Sequence, residues 1–287
     1  MTVLARKIAS AFKAACLDEL DAPKPGNVHI FADGHRMTAP EFLLSATAAA
    51  PAISMPRARV GTRILTAVEA TLAAVGANTN LGIILLCAPL AAAADADPPD
   101  LRSALADVLE SLDTEDANLA FRAIARASPA GLGRVEKNDV FEPATVTLRQ
   151  AMVEATHRDR ISYQYVSTFE DVFDRGEPLL EAALSWAPQP SWATLAVYLG
   201  FLSAFPDSHI VRKHGAEAAE EVRRDSLPFY TLLQSGENLA DLLPDLLEWD
   251  RSLKVRGLNP GTSADLTVAT LFTHRLRNIL LSTGNSD

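Results

Sequence analysis

Glu19 interrupts an apolar helical stripe: it follows Phe12 by seven residues and Ala15 by four in the segment FKAACLDEL. An ionised carboxylate is costly to bury there unless something pairs with it. Lys24, five residues on, is one candidate partner and a bound cation is another. The plainer alternative is a helix end that reaches solvent or a structural salt bridge. The next segment, DAPKPGNVHIFADGHR, sets Asn27, His29 and His35 among two prolines that fix φ and glycines that open backbone space. A polar loop held still in this way is commonly a binding loop.

Three later stretches combine similar groups with turns. In VGANTNLGI, residues 75–83, Asn78, Thr79 and Asn80 stand between two apolar runs. Exposed amides at the start of the following helix suit an anion, and a C-cap glycine followed by an N-cap asparagine explains them equally. In LNPGTSADLTVATLF, residues 258–272, Thr262 and Asp265 have capping-box spacing. The functional alternative gathers Asn259, Ser263 and Asp265 around a metal–phosphate group. In PDSHIVRKHG, residues 206–215, Asp207 or Ser208 can cap a helix that concentrates Arg212, Lys213 and His214. Such a cluster could grip a polyphosphate; a solvated helix face is the commoner origin of a charge run.

The elements that must position these groups read as helices. Leu4, Ile8, Phe12 and Ala15 share one helical face, as do Trp192, Leu195, Leu199 and Leu202, and Leu266, Ala269, Phe272, Leu276 and Leu280. Breakers recur at 21–39, 76–80, 95–100, 128–142, 186–190, 206–208 and 257–262. With no strand-like alternation, this predicts an all-α fold of roughly ten or more helices, as one domain over 1–287. The net charge of −10 and the lack of a basic, aromatic-rich tract disfavour nucleic acid. Cys16 and Cys87 read as reduced core residues of a cytoplasmic protein. The apolar run LGIILLCAPLAAAA, at 14 residues with Pro89 inside it, is short for a membrane span of about 20 and reads as a buried helix.

Taken together and in order, ELDAPKPGNVH, GANTNLGI and LNPGTSADL resemble the triphosphoribosyl-dephospho-CoA synthase family, over about residues 10–280. The resemblance implies an all-helical enzyme that moves the triphosphoribosyl group of ATP to the 2′-hydroxyl of dephospho-CoA and releases adenine. It points to Glu19, Lys24, Gly26, His35, Asn78, Asp207, Arg212, Lys213 and Asp265. Glu19 and Asp265 are the expected catalytic carboxylates, and with Asp207 they are the expected ligands of Mg²⁺. Lys24, Gly26, Asn27, His29, His35, Asn78, Asn80, Arg212, Lys213, His214, Asn259 and Ser263 are the expected substrate and phosphate contacts. Family members commonly carry Asp where this chain has His29, and Asn-Thr-His-Lys-Gly where it reads Asn78-Thr79-Asn80-Leu81-Gly82. That pattern is similar to a divergent branch of archaea and methylotrophic bacteria, for which a step in making a one-carbon carrier of tetrahydromethanopterin or methanofuran type is the alternative. Small-molecule nucleotides are the expected partners, with no nucleic acid or membrane, and a homodimer is the assembly to test.

Two other classes compete. FEDVFD, residues 169–174, mimics the carboxylate motif of helical isoprenoid synthases, but it has no second copy. Ile161, Tyr165, Phe169 and Val172 instead suggest one amphipathic helix with an acidic outer face. A non-catalytic helical scaffold would explain every polar motif as a cap, yet does not require so many rigid polar loops.

Overall fold

A computed structural model of the chain describes residues 1–32, 38–129, 133, 138–235 and 239–284. Among the described residues there are fourteen α-helices and one π-helical turn, with no strand. The helices are α1 (Val3–Asp21), α2 (Ala39–Ile53), α3 (Val60–Val75), α4 (Leu81–Ala94), α5 (Leu101–Ser111), α6 (Thr114–Ala127) and α7 (Leu148–Ala155). After α8 (Arg160–Ser167) comes the π-helix Asp171–Gly176, then α9 (Glu177–Trp186), α10 (Pro190–Ala204), α11 (Ser208–His214), α12 (Ala216–Ser235), α13 (Leu239–Val255) and α14 (Gly261–Gly284).

Helix α4 is apolar all round and buried on nearly every side, from Leu81 to Ala94, and packs against α1, α2, α3, α5, α8 and α14. Helix α10 is buried along its length in the same way. Helix α14 packs on α1, α4 and α10, and small residues on it (Ala264, Ala269, Thr267, Thr270) allow that close approach. No helix among the described residues is long and apolar enough to cross a membrane.

On helix α1 the expected Ile8, Phe12 and Ala15 are buried with Glu19, while Leu4 is half-buried and its neighbour Ala5 takes the buried position. It stops at Asp21 because Ala22 precedes Pro23 and takes extended backbone, φ −83° and ψ 138°. The expected amphipathic helix through 161–172 is not continuous. Thr168 and Phe169 both adopt positive φ, at 54° and 56°, and the chain restarts as the π-helix. Nor is its acidic face free for a metal–diphosphate group. Asp171 takes a bidentate pair from Arg160 at 2.7 and 2.8 Å, Asp174 one from Arg102 at 2.6 and 2.7 Å, and Glu170 accepts from the Tyr163 hydroxyl. Arg160 is also stacked against the Tyr163 and Phe205 rings, which fixes the start of α8.

Candidate functional site

Three loops meet at the amino ends of α4 and α14. The first, residues 22–29, is stitched to the rest of the molecule at each step. The Tyr198 hydroxyl donates to Pro25 O at 2.7 Å, Gly26 N donates to Asp250 Oδ1 at 2.8 Å, and Asn27 Nδ2 donates to Asn259 Oδ1 at 2.8 Å. Gly26 has φ +80°, and a Cβ there would lie 2.8 Å from Pro260 Cδ and 2.9 Å from Leu258 O. The Pro-Lys-Pro-Gly and Asn-Pro-Gly elements are thus two sides of one contact. Gly26→Ala combines left-handed strain with overpacking against backbone, so a loss on the order of 3 kcal/mol is expected in chemical denaturation.

The second loop enters α4. Asn78 Oδ1 accepts from Leu81 N at 3.1 Å, and the Thr79 hydroxyl bonds Ser45 on α2 at 2.6 Å. Asn80 stands at the N-cap position yet makes no side-chain cap bond. It is 5% exposed, and its Nδ2 has no partner among the described residues. Across from this turn sits Asp265 of α14. Its Oδ2 would lie 2.0 Å from a Cβ on Gly82, so only glycine in the first turn of α4 leaves room for that carboxylate.

Asp265 is not the helix cap that its spacing from Thr262 suggests: the Thr262 hydroxyl pairs with Ser208 at 2.9 Å, and no hydrogen bond to Asp265 forms among the described residues. Burial pushes the Asp265 carboxyl well above the usual carboxylate range, reinforced by the negative charges of Asp207 and Glu19. Burial also raises the Glu19 carboxyl, partly offset by the Lys24 ammonium 3.2 Å away.

These groups wall a cleft of about 430 Å³. Of the residues singled out in the sequence, Glu19, Asn27, Asn78, Asn80, Arg212, Asn259 and Asp265 line it. Its other side, from α4, α6, α7 and α8, is largely apolar, with Leu85, Phe121, Ile124, Ala151, Met152 and Ile161. Thr79 and Gly82, from the same loop as Asn78 and Asn80, line it too, as do Asp139, Arg158, Asp159 and His209, which the sequence reading did not single out. Asp159 pairs with Arg212 at 3.5 Å and caps α8 by accepting from Ser162 N. Arg158, exposed at the rim, forms no ion pair among the described residues. The run His157-Arg158-Asp159-Arg160 at a helix junction was the available signal.

Several expected contacts lie elsewhere. Lys24 is fully buried beneath Glu19, its ammonium hydrogens taken by three oxygens, so it is not a free phosphate ligand. His29 is buried 3.4 Å from Asp250 and off the cleft wall. Gly26 serves packing, and Ser263 is buried, donating through both its amide and hydroxyl to Asp207 Oδ2. Asp207 Oδ1 accepts from His209 N and Ile210 N, so four donors surround a carboxylate expected as a metal ligand. It is a cap and a brace between α11 and α14. Lys213 is exposed off the cleft, and His214 bonds the Gly257 carbonyl at 3.0 Å. His35 lies outside the described residues. Among the described residues no three His, Cys, Asp or Glu side chains form a metal-binding group.

Comparison with known proteins points one way. The family model described as CitG, ATP:dephospho-CoA triphosphoribosyl transferase, matches residues 5–283. A solved structure from Archaeoglobus fulgidus, provisionally named a triphosphoribosyl-dephospho-CoA synthase, shares the fold with a TM-score of 0.61 and 25% identity. The match covers 80% of this chain and 96% of that one. No curated protein sequence matches the chain.

Proposed function

The chain belongs to the ATP:dephospho-CoA triphosphoribosyl transferase family, and on that premise we propose how its cleft moves the triphosphoribosyl group of ATP to the 2′-hydroxyl of dephospho-CoA. The new bond joins the acceptor oxygen to the anomeric carbon of the ATP ribose. The bond from that carbon to adenine breaks, a base takes the hydroxyl proton, and adenine gains a proton at the ring nitrogen it leaves through, so the step is proton-neutral overall. A glycosyl transfer of this kind passes through an oxocarbenium-like transition state.

Asp265 is the base in this reading. The observation that carries it is a carboxylate without a hydrogen-bond donor among the described residues, seated against Gly82 and open to the cleft. Its raised pKa makes it a stronger proton acceptor than an ordinary aspartate. The triphosphate is taken by Arg212, Asn78 and the unpartnered amide of Asn80, at the amino end of α4 where the helix dipole favours negative charge. Arg158 at the rim adds a further positive charge for the phosphates of either substrate.

The family resemblance also implies Mg²⁺. The donor set fits an ion carried in on the phosphates, since Mg²⁺ takes one or two carboxylates and otherwise phosphate and water oxygens. Glu19 would hold it, Asp207 being fully engaged by its four donors. Bound there, the ion would neutralise the triphosphate.

The protein incubated with ATP, Mg²⁺ and dephospho-CoA should release free adenine and form a product heavier than the acceptor by one triphosphoribosyl group, by mass spectrometry. Stabilisation by ATP without adenine release would overturn the assignment.

A further inference from the structure

We propose that Lys24 is a positioning residue, which holds the Glu19 carboxylate in the orientation that faces the cleft and never meets the phosphates itself. The inference rests on the transferase reading for the role of Glu19. The ammonium of Lys24 has three hydrogens and three acceptors: Glu19 O at 2.6 Å, Val28 O at 2.8 Å and Glu19 Oε1 at 3.2 Å. Its side chain is 0% exposed. No donor and no path remain for a ligand.

What this arrangement does for Glu19 follows from the geometry. One edge of the carboxylate is held by Lys24, and the other edge has no donor among the described residues while the residue lines the cleft. The same ammonium ties the last turn of α1, through Glu19 O, to the loop carrying Asn27, through Val28 O. Lys24 is itself set by Pro23 and Pro25, by the Tyr198 bond to Pro25 O and by Gly26 on Asp250. A buried ion pair is a poor device for stability, because well-packed apolar replacements often match or exceed it. A fixed direction for the one carboxylate that ends α1 inside the cleft is what the pair provides.

The test is a double-mutant cycle with Lys24→Met, Glu19→Gln and the two combined, read as kcat and as KM for ATP. If Lys24 acts through Glu19, each single change lowers kcat by about 10²-fold, the scale of misplacing a reacting or clamping group. The double variant then stays within about threefold of Glu19→Gln in both kcat and KM for ATP. A double variant weaker than Glu19→Gln by the full effect of Lys24→Met would overturn the proposal. So would a Lys24→Met enzyme with normal kcat and a KM for ATP raised tenfold or more, the sign of a direct phosphate contact.

Lys24→Met leaves Glu19 buried without its cation and can fail to fold. The double variant removes both charges, and its comparison with Glu19→Gln alone still decides the question. If the unaltered protein releases no adenine, the transferase reading fails instead. The crystal structure of Lys24→Met, or of the double variant beside Glu19→Gln where the single change does not fold, then decides the coupling. Residue 19 swung from its place in the cleft upholds it, and an unmoved side chain rejects it.

Discussion

Asp265→Asn is expected to reduce adenine release by about 10²–10⁴-fold in kcat, the range a general base contributes, and at the same time to raise the melting temperature. Both outcomes come from one cause. Burial, then Asp207 and Glu19, lift the Asp265 carboxyl above its unfolded value of about 3.9. The folded chain therefore holds this proton more tightly than the unfolded chain does. The stabilising contribution is fully present below the unfolded value and is lost as pH rises through the folded one.

Above the folded pKa the ionised group is a net cost, which asparagine removes without changing shape. The gain expected is ~0.5–2 kcal/mol, or a few degrees in Tm. In the unaltered enzyme the acid limb of kcat against pH should fall well above the ordinary carboxylate value, because protonating Asp265 removes the base. An Asp265→Asn protein that is active, or one that melts lower, would remove the carboxylate from the role given to it.

Gly82→Ala is expected to cost about 10²-fold in kcat with the fold retained. A methyl group at that position would meet Asp265 Oδ2 at 2.0 Å and Ile161 Cδ1 at 2.9 Å. The helix backbone of α4 is fixed by packing on all sides, whereas the carboxylate can rotate about its own bonds, so the carboxylate yields. A displacement of about 1 Å in a reacting group is enough for such a loss. Alanine is the better helix former by up to ~1 kcal/mol, so Tm should change little, and circular dichroism should match the unaltered protein. Near-normal turnover in Gly82→Ala would mean that the contact between α4 and Asp265 does not set the reacting geometry.

Much of this molecule is written in its apolar spacing. The stripe on α1, the all-apolar run of α4 and the breaker-rich segments between helices each appear where periodicity put them, because burial drives all three. The oddity of Glu19 within an apolar stripe also led to its partner, since a buried carboxylate demands one. What spacing does not carry is direction. Lys24 and Arg212 look alike as positive charges in loop-rich segments, yet one points under a helix end and the other into the cleft.

Asp207 and Asp265 likewise share a residue type, and their difference lies in the donors that the fold delivers to each. Gly82 was hidden for another reason. A glycine just after a helix start reads as loop chemistry, and only the side chain arriving from α14 explains it.

The hydrogen bond from Asn27 to Asn259 spans 232 positions of the chain, and that from Gly26 to Asp250 spans 224. During synthesis, the early loop must therefore wait until residues as far on as Asn259 have left the ribosome before its counterpart arrives. Contacts so distant in sequence form slowly, and the segment between them is exposed to misassembly in the interval. A prematurely terminated product ending before Leu258 would carry Glu19, Lys24 and the entire α4 helix, yet could not close the cleft around them.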